Sequence, residues 1–153
     1  MKTYIVDTDV LIGFRQSLPM QIFKTQWKML KDYVEEGRII ICEAVFHEVK
    51  KAEDLKNWLA NFNHLVVDCY TKDVIIEAKT IINAHPNLID ANNPSDQSDP
   101  YLIALAKIKN YCVLTNESYS EGGKKTKIPY ICKQLSIDYM NTEQFYEEEK
   151  WEF

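Results

Sequence analysis

Glycine and proline are scarce in this sequence, four and five residues among 153. That excludes flexible Gly-rich linkers, Pro-rich low-complexity segments and repeats punctuated by either residue. No apolar run approaches the ~20 residues of a membrane span, so no membrane association is expected. The N-terminus reaches an apolar run within three residues, without the basic region, apolar stretch and cleavage site of a secretory leader. No CxxC pair exists. Cys42, Cys69, Cys112 and Cys132 are far apart, each inside an apolar run, which argues against a zinc site and for buried, reduced thiols. A cytoplasmic protein is the expectation. Also missing is any basic excess: 18 Lys and Arg against 23 Asp and Glu give a formal net charge of −5. The chain is no general binder of polyanions. A nucleic-acid substrate would need a local basic patch and divalent metal to offset clustered acids.

The apolar fraction is 46% and the charged fraction 27%, enough for one domain with a real core, expected to span residues 1–153. The opening stretch Tyr4-Ile5-Val6-Asp7-Thr8-Asp9-Val10-Leu11-Ile12 is a short apolar run, two acids flanking a hydroxyl, and a second apolar run. It predicts a buried strand delivering a carboxylate to a sheet edge, then a helix over Val10–Arg15 capped by Thr8 or Asp9. Capping explains one acid and leaves Asp7 in need of a cation or several donors.

Farther on, Pro19 is expected to open a helix lined by Phe23, Trp27, Leu30 and Val34 and stopped at Gly37. Residues 38–42 predict a strand, 43–51 and 53–62 helices, 64–68 a strand, and 71–84 a helix with Thr71 as cap. Residues 85–98 predict a long loop of the kind that often carries function. Residues 101–108 are apolar nearly all round, hence a central helix; 111–115 predict a strand, 118–127 a polar loop, 128–135 a helix and 137–140 a strand. Asn141 and Gln144 predict a capping box for a final helix. Alternating strands and helices imply an α/β domain with a mostly parallel sheet.

Several acids fall where a strand ends or a helix begins: Asp7, Glu43, Glu48, Asp96, Asp99 and Glu117, with Thr115 two residues before the last. Singly each has a structural reading, Asp99 before Pro100 as a helix cap and Glu48 beside Lys50 and Lys51 as a solvated residue. Together they would share the carboxyl edge of a parallel sheet, where ligands bind. Like charges there must stay protonated or share cations, and hard Mg²⁺ or Mn²⁺ ions suit carboxylates.

Four stretches in order, Ile5–Ile12, Phe46-His47-Glu48-Val49, Ser98–Ala106 and Val113-Leu114-Thr115-Asn116-Glu117, resemble the PIN domain, and the likeness covers nearly the whole chain. The chain is similar to the VapC-like toxin ribonucleases of bacterial toxin–antitoxin pairs. The resemblance implies a three-layer α/β/α fold with a mostly parallel central sheet and a Mg²⁺- or Mn²⁺-dependent endoribonuclease. Asp7, Glu48, Asp99 and Glu117 would be its metal acids, and Thr115 the hydroxyl that orients an acid or a water. It also implies an RNA substrate, a cognate antitoxin, and a homodimer, for which the Phe23–Trp27 helix offers a face. Arg15, Lys124, Lys125 and Lys127 are candidates for guiding a phosphate backbone. The sequence departs from the family at Glu117, where Asp is usual, and at Asp9, where Asn or Ser is more common and the extra carboxylate would either tighten metal binding or only cap the next helix; Glu43 and Asp96 are extra acids.

Two other classes remain open. A PIN-like fold without catalysis would bind RNA or a protein partner. A haloacid-dehalogenase-type phosphatase would use Asp7 as nucleophile and Asp9 as general acid, although Leu11 stands where that motif wants Thr or Val. Asp9→Asn should abolish phosphatase turnover and leave a nuclease most of its activity.

Overall fold

A computed structural model of the chain describes residues 1–89 and 97–152. Its sheet consists of β1 (Tyr4–Val6), β2 (Ile39–Ile40), β3 (Cys112–Leu114) and β4 (Tyr139–Met140) in the order β2-β1-β3-β4, every pair parallel. The strands are short, but β1 and β3 are fully buried. That matches their continuous apolar sequence, since a parallel sheet is covered on both faces. Eight helices accompany the sheet among the described residues: α1 (Thr8–Ser17), α2 (Lys24–Glu35), α3 (Glu43–Glu48), α4 (Glu53–Ala60), α5 (Lys72–Ala84), α6 (Asp99–Lys109), α7 (Ile128–Gln134) and α8 (Thr142–Glu149). The result is a PIN-like three-layer α/β/α architecture.

Helix α6 is the hub of one layer. Leu102, Ile103, Ala104, Leu105 and Ala106 are all buried, and the helix packs on β1, β3, α5 and α7. Tyr4, from β1, meets Phe145 of α8 edge-on at 4.9 Å, and Phe145 in turn packs against Tyr33 of α2 and Trp151. Glu149 ties these parts together. It accepts from Tyr4 Oη at 2.6 Å and Tyr33 Oη at 2.7 Å, and pairs with Arg38 at 2.7 Å. Burial works to raise the Glu149 pKa, but those three donors outweigh it and hold the carboxyl below its ordinary value. Glu149→Ala would strand a guanidinium and two hydroxyls at little exposure. A loss of about 2–3 kcal/mol is expected in urea denaturation.

Helix α2 ends in a Schellman closure: Gly37 N–H donates to Val34 O and Arg38 N–H to Tyr33 O, with Gly37 at φ +74°. The expected capping box also forms, with Asn141 and Gln144 each accepting from the other's backbone N–H. Four expectations need correction. Pro19 begins a turn rather than a helix: Ile22 and Phe23 N–H both return to Pro19 O, and the non-helical ψ of 54° at Phe23 postpones α2 to Lys24. Residues 64–68 are not a strand. They form a 3₁₀ turn, Asn63–Leu65, and one parallel bridge, Cys42 to Val67, at the sheet margin. Neither Thr8 nor Asp9 caps α1; Asp7 holds the cap position, without a side-chain cap bond. Finally, the Phe23–Trp27 stripe is no free dimer face. Trp27 is buried, donates to Leu18 O at 2.6 Å and packs on Trp58.

Candidate metal centre

The connection from β1 leads to β2 on one side of it, whereas β3 lies on the other. Such a reversal opens a crevice at the carboxyl ends of the two strands, the usual ligand position in parallel α/β sheets. Register dictates what fills it. Val6 is opposite Leu114, so the next residues, Asp7 and Thr115, meet across the crevice. Asp7 N–H donates to Leu114 O at 3.0 Å, and Thr115 Oγ1 donates to Asp7 Oδ2 at 3.2 Å. Both residues are buried. Two residues on, Glu117 N–H donates to Thr115 Oγ1 at 3.2 Å, so one hydroxyl joins the two acids. Thr115→Val would leave Asp7 Oδ2 without its donor and release the Glu117 backbone. A stability loss of about 1–2 kcal/mol is expected in urea denaturation.

Asp9, in the first turn of α1, completes the cluster. Carboxylate oxygens of Asp7, Asp9 and Glu117 all lie within 4.8 Å of one another. Glu117 is braced for this role, since Ile128 N–H at the start of α7 donates to its Oε2 at 2.8 Å. The longer Glu side chain therefore reaches the site. Asp99 and Glu48 flank the three. Ser98, not Asp99, holds the cap position of α6; Asp99 is buried in the first turn, and its Oδ2 lies 3.4 Å from Lys125 Nζ. Lys125 also reaches Glu117 Oε1 at 3.2 Å. Glu48, at the end of α3, accepts from Ser98 N–H at 2.9 Å and from Thr8 Oγ1 at 3.4 Å.

The electrostatics record this crowding. Burial, then the charges of Asp9, Glu117 and Glu48, push the Asp7 carboxyl well above its ordinary value, against the Thr115 hydrogen bond. Asp99 is raised by burial and by Asp7, with Lys125 opposing. Burial carries Glu48 up to about 6 despite its donors. A site that resists losing its protons in the absence of a cation is suited to hold one. Three hard oxygen donors within reach of one another fit Mg²⁺ or Mn²⁺.

The remaining sequence candidates separate clearly. Glu43 turns to His47, with Nε2 3.3 Å from its Oε1, and stays out of the cluster. Asp96 lies outside the described residues. Arg15 is paired with Asp54 on α4. Lys124 is exposed, whereas Lys125 bridges two site acids instead of waiting for phosphate. The backbone of Ser98, and the linking role of Lys125, escaped sequence reasoning; a Ser-Asp-Pro helix start and a lysine cluster do not reveal which carboxylate each will meet. Asp9 gains most from the structure. As a member of the three-acid group it would matter to a nuclease as well as to a phosphatase, so Asp9→Asn does not separate those readings.

Fold and site together define a PIN-like α/β domain with an acidic centre at the carboxyl edge of its sheet. The chain belongs to the family described as a domain of unknown function (DUF4411), whose model matches residues 4–153. In structure it is similar to a chain of VapBC2 from Rickettsia felis, solved bound to a DNA fragment from its promoter. The identity is 16% and the TM-score 0.53, covering 91% of this chain and 98% of that one. No curated protein matches the sequence. No helix among the described residues is long and apolar enough to cross a membrane.

Proposed function

We propose that the protein is a Mg²⁺- or Mn²⁺-dependent endoribonuclease of the PIN type that hydrolyses RNA phosphodiester bonds, and that it serves as the toxin of a bacterial toxin–antitoxin pair. The observation that carries the catalytic part is the convergence of Asp7, Asp9 and Glu117 at the crevice between β1 and β3. In this reading Asp7, Asp9 and Glu117 hold the cation, with Asp99 and Glu48 beside them. A divalent ion bound there would lower the pKa of a water and offset charge on the phosphate. Thr115 fixes the orientation of Asp7, and the Ile128 N–H fixes that of Glu117. Lys125 offsets negative charge on the Asp99 side, where a phosphate would otherwise meet two carboxylates. The toxin part rests on the likeness in fold to the VapBC2 chain, and it brings an antitoxin as the expected partner.

A second reading draws on Lys125. Its ammonium already bridges Asp99 and Glu117, as an internal counter-ion would in a PIN-like module that binds RNA or protein without cutting. One experiment separates the two: incubation of single-stranded and structured RNA with Mg²⁺ or Mn²⁺, with EDTA and Asp7→Asn as controls. Metal-dependent cleavage lost in the variant supports the nuclease; equal activity in both proteins identifies a contaminant and removes its support.

A further inference from the structure

Beside Glu48 opens a cavity of about 730 Å³, within the ~300–1,000 Å³ range of ligand clefts. In a chain of net charge −5, this groove gathers Arg15, Lys50 and Lys51, with Glu48 as the acid in its lining. Lys50 and Lys51 are exposed and have no ion-pair partner among the described residues. Arg15 gives its Nε–H to Asp54, which anchors the guanidinium at the wall. Two aromatic rings share the lining with apolar side chains such as Ile12 and Val49. Tyr70 is 41% exposed and stands edge-to-face with Tyr101, centroids 5.1 Å apart.

Cations interleaved with accessible rings are what single-stranded nucleic acid requires, phosphates meeting the charges and bases stacking on the rings. Position favours the same occupant. Glu48, in the groove's lining, is held by Thr8 and Ser98, the immediate neighbours of Asp7 and Asp99. A strand lying in it would run to the acidic centre. An acidic peptide would meet the same cations but offers no base to stack on the exposed Tyr70 ring, and a basic segment would meet the three groove cations. A duplex does not enter a concave pocket of this size, whereas a splayed base does.

We propose that this groove is the single-strand binding subsite of the protein, with Tyr70 stacking a base and Lys50, Lys51 and Arg15 holding the adjoining phosphates. The proposal rests on the ribonuclease reading only for the direction of the strand; the binding itself is testable without catalysis. The probe is a fluorescein-labelled single-stranded RNA octamer, titrated by anisotropy with the protein in EDTA. Tyr70→Ala should weaken binding ~10-fold, and Tyr70→Phe should bind within about twofold of wild type. An abasic octamer should bind more weakly than RNA and should not distinguish Tyr70→Ala from wild type. The double variant Lys50→Ala, Lys51→Ala should flatten the slope of log K against log salt by about 1.4, about 0.7 for each phosphate that no longer meets a lysine.

Absence of RNA binding by the wild type would overturn the proposal, as would unchanged binding in these variants. So would tighter binding of a same-length duplex or of an octaglutamate peptide. The two readings fail separately. Cleavage abolished by Asp7→Asn with binding unaltered in the groove variants removes the groove alone. Binding that follows the groove variants, in a protein that cuts no RNA, removes the nuclease alone.

Discussion

Asp7→Asn is expected to make the metal-free protein more stable at pH 8 while lowering Mn²⁺-dependent RNA cleavage by at least about 100-fold. The two effects have one origin. Asp7 is buried, and its carboxylate shares the crevice with Asp9, Glu117 and Glu48, all of which resist its ionisation. An amide of the same shape removes that charge and can still accept from Thr115 through its carbonyl oxygen. The repulsion relieved should be worth about 1–2 kcal/mol in urea denaturation. For the same reason the variant lacks the central ligand among three oxygens that lie within 4.8 Å of one another. Stability gained on loss of a functional charge marks a site strained for its task. A variant that is less stable at pH 8 would mean that Asp7 already has a net favourable partner.

The second large effect is the response of stability to pH and metal. The carboxyls of Asp7, Asp99 and Glu48 are all raised in the folded protein, Glu48 to about 6. Between the ordinary carboxylate range and these raised values, the folded state binds more protons than the unfolded state. Stability must therefore fall as pH rises through that window. The metal-free protein is expected to be about 2 kcal/mol more stable at pH 5 than at pH 8. Mn²⁺ should reverse the order. At about 100 times its dissociation constant it contributes about 2.7 kcal/mol, or roughly 5–10 °C in Tm for a domain of this size. The gain should shrink at pH 5, where protons compete for the same oxygens. Thermal melts at both pH values, with and without Mn²⁺, test this; a metal-free protein that is stabler at pH 8 would show that the acids do not converge as described.

Much of this was legible in the chain because it follows from local rules. Gly37 stops α2 where a left-handed residue is needed, Asn141 and Gln144 form their reciprocal cap, and the all-round apolar run of α6 becomes the buried hub. The acids at strand ends were legible for a related reason: in a parallel sheet every strand delivers its last residues to the same edge. What failed depended on tertiary context. Leu65-Val66-Val67 has the composition of a strand, but the sheet margin provides one bridge at Val67 and no continuous partner. Pro19 can open a helix, and here the backbone of Phe23 breaks the turn that follows it. By sequence Asp9 could tighten metal binding or only cap the next helix, because nothing in its neighbourhood in sequence tells that Glu117, more than a hundred residues away, would lie beside it. Lys125 is a similar case, placed among three lysines by sequence and between two carboxylates by the fold of its loop.

The central claim is that Asp7, Asp9 and Glu117 form a divalent-metal site. Anomalous diffraction from crystals of the whole protein soaked in MnCl₂ tests it most directly. The expected result is an anomalous peak in the crevice between β1 and β3, coordinated by oxygens of Asp7, Asp9 and Glu117. It should be absent from crystals of Asp7→Asn. A crevice without a peak at saturating Mn²⁺, with Lys125 still bridging Asp99 and Glu117, would contradict the claim.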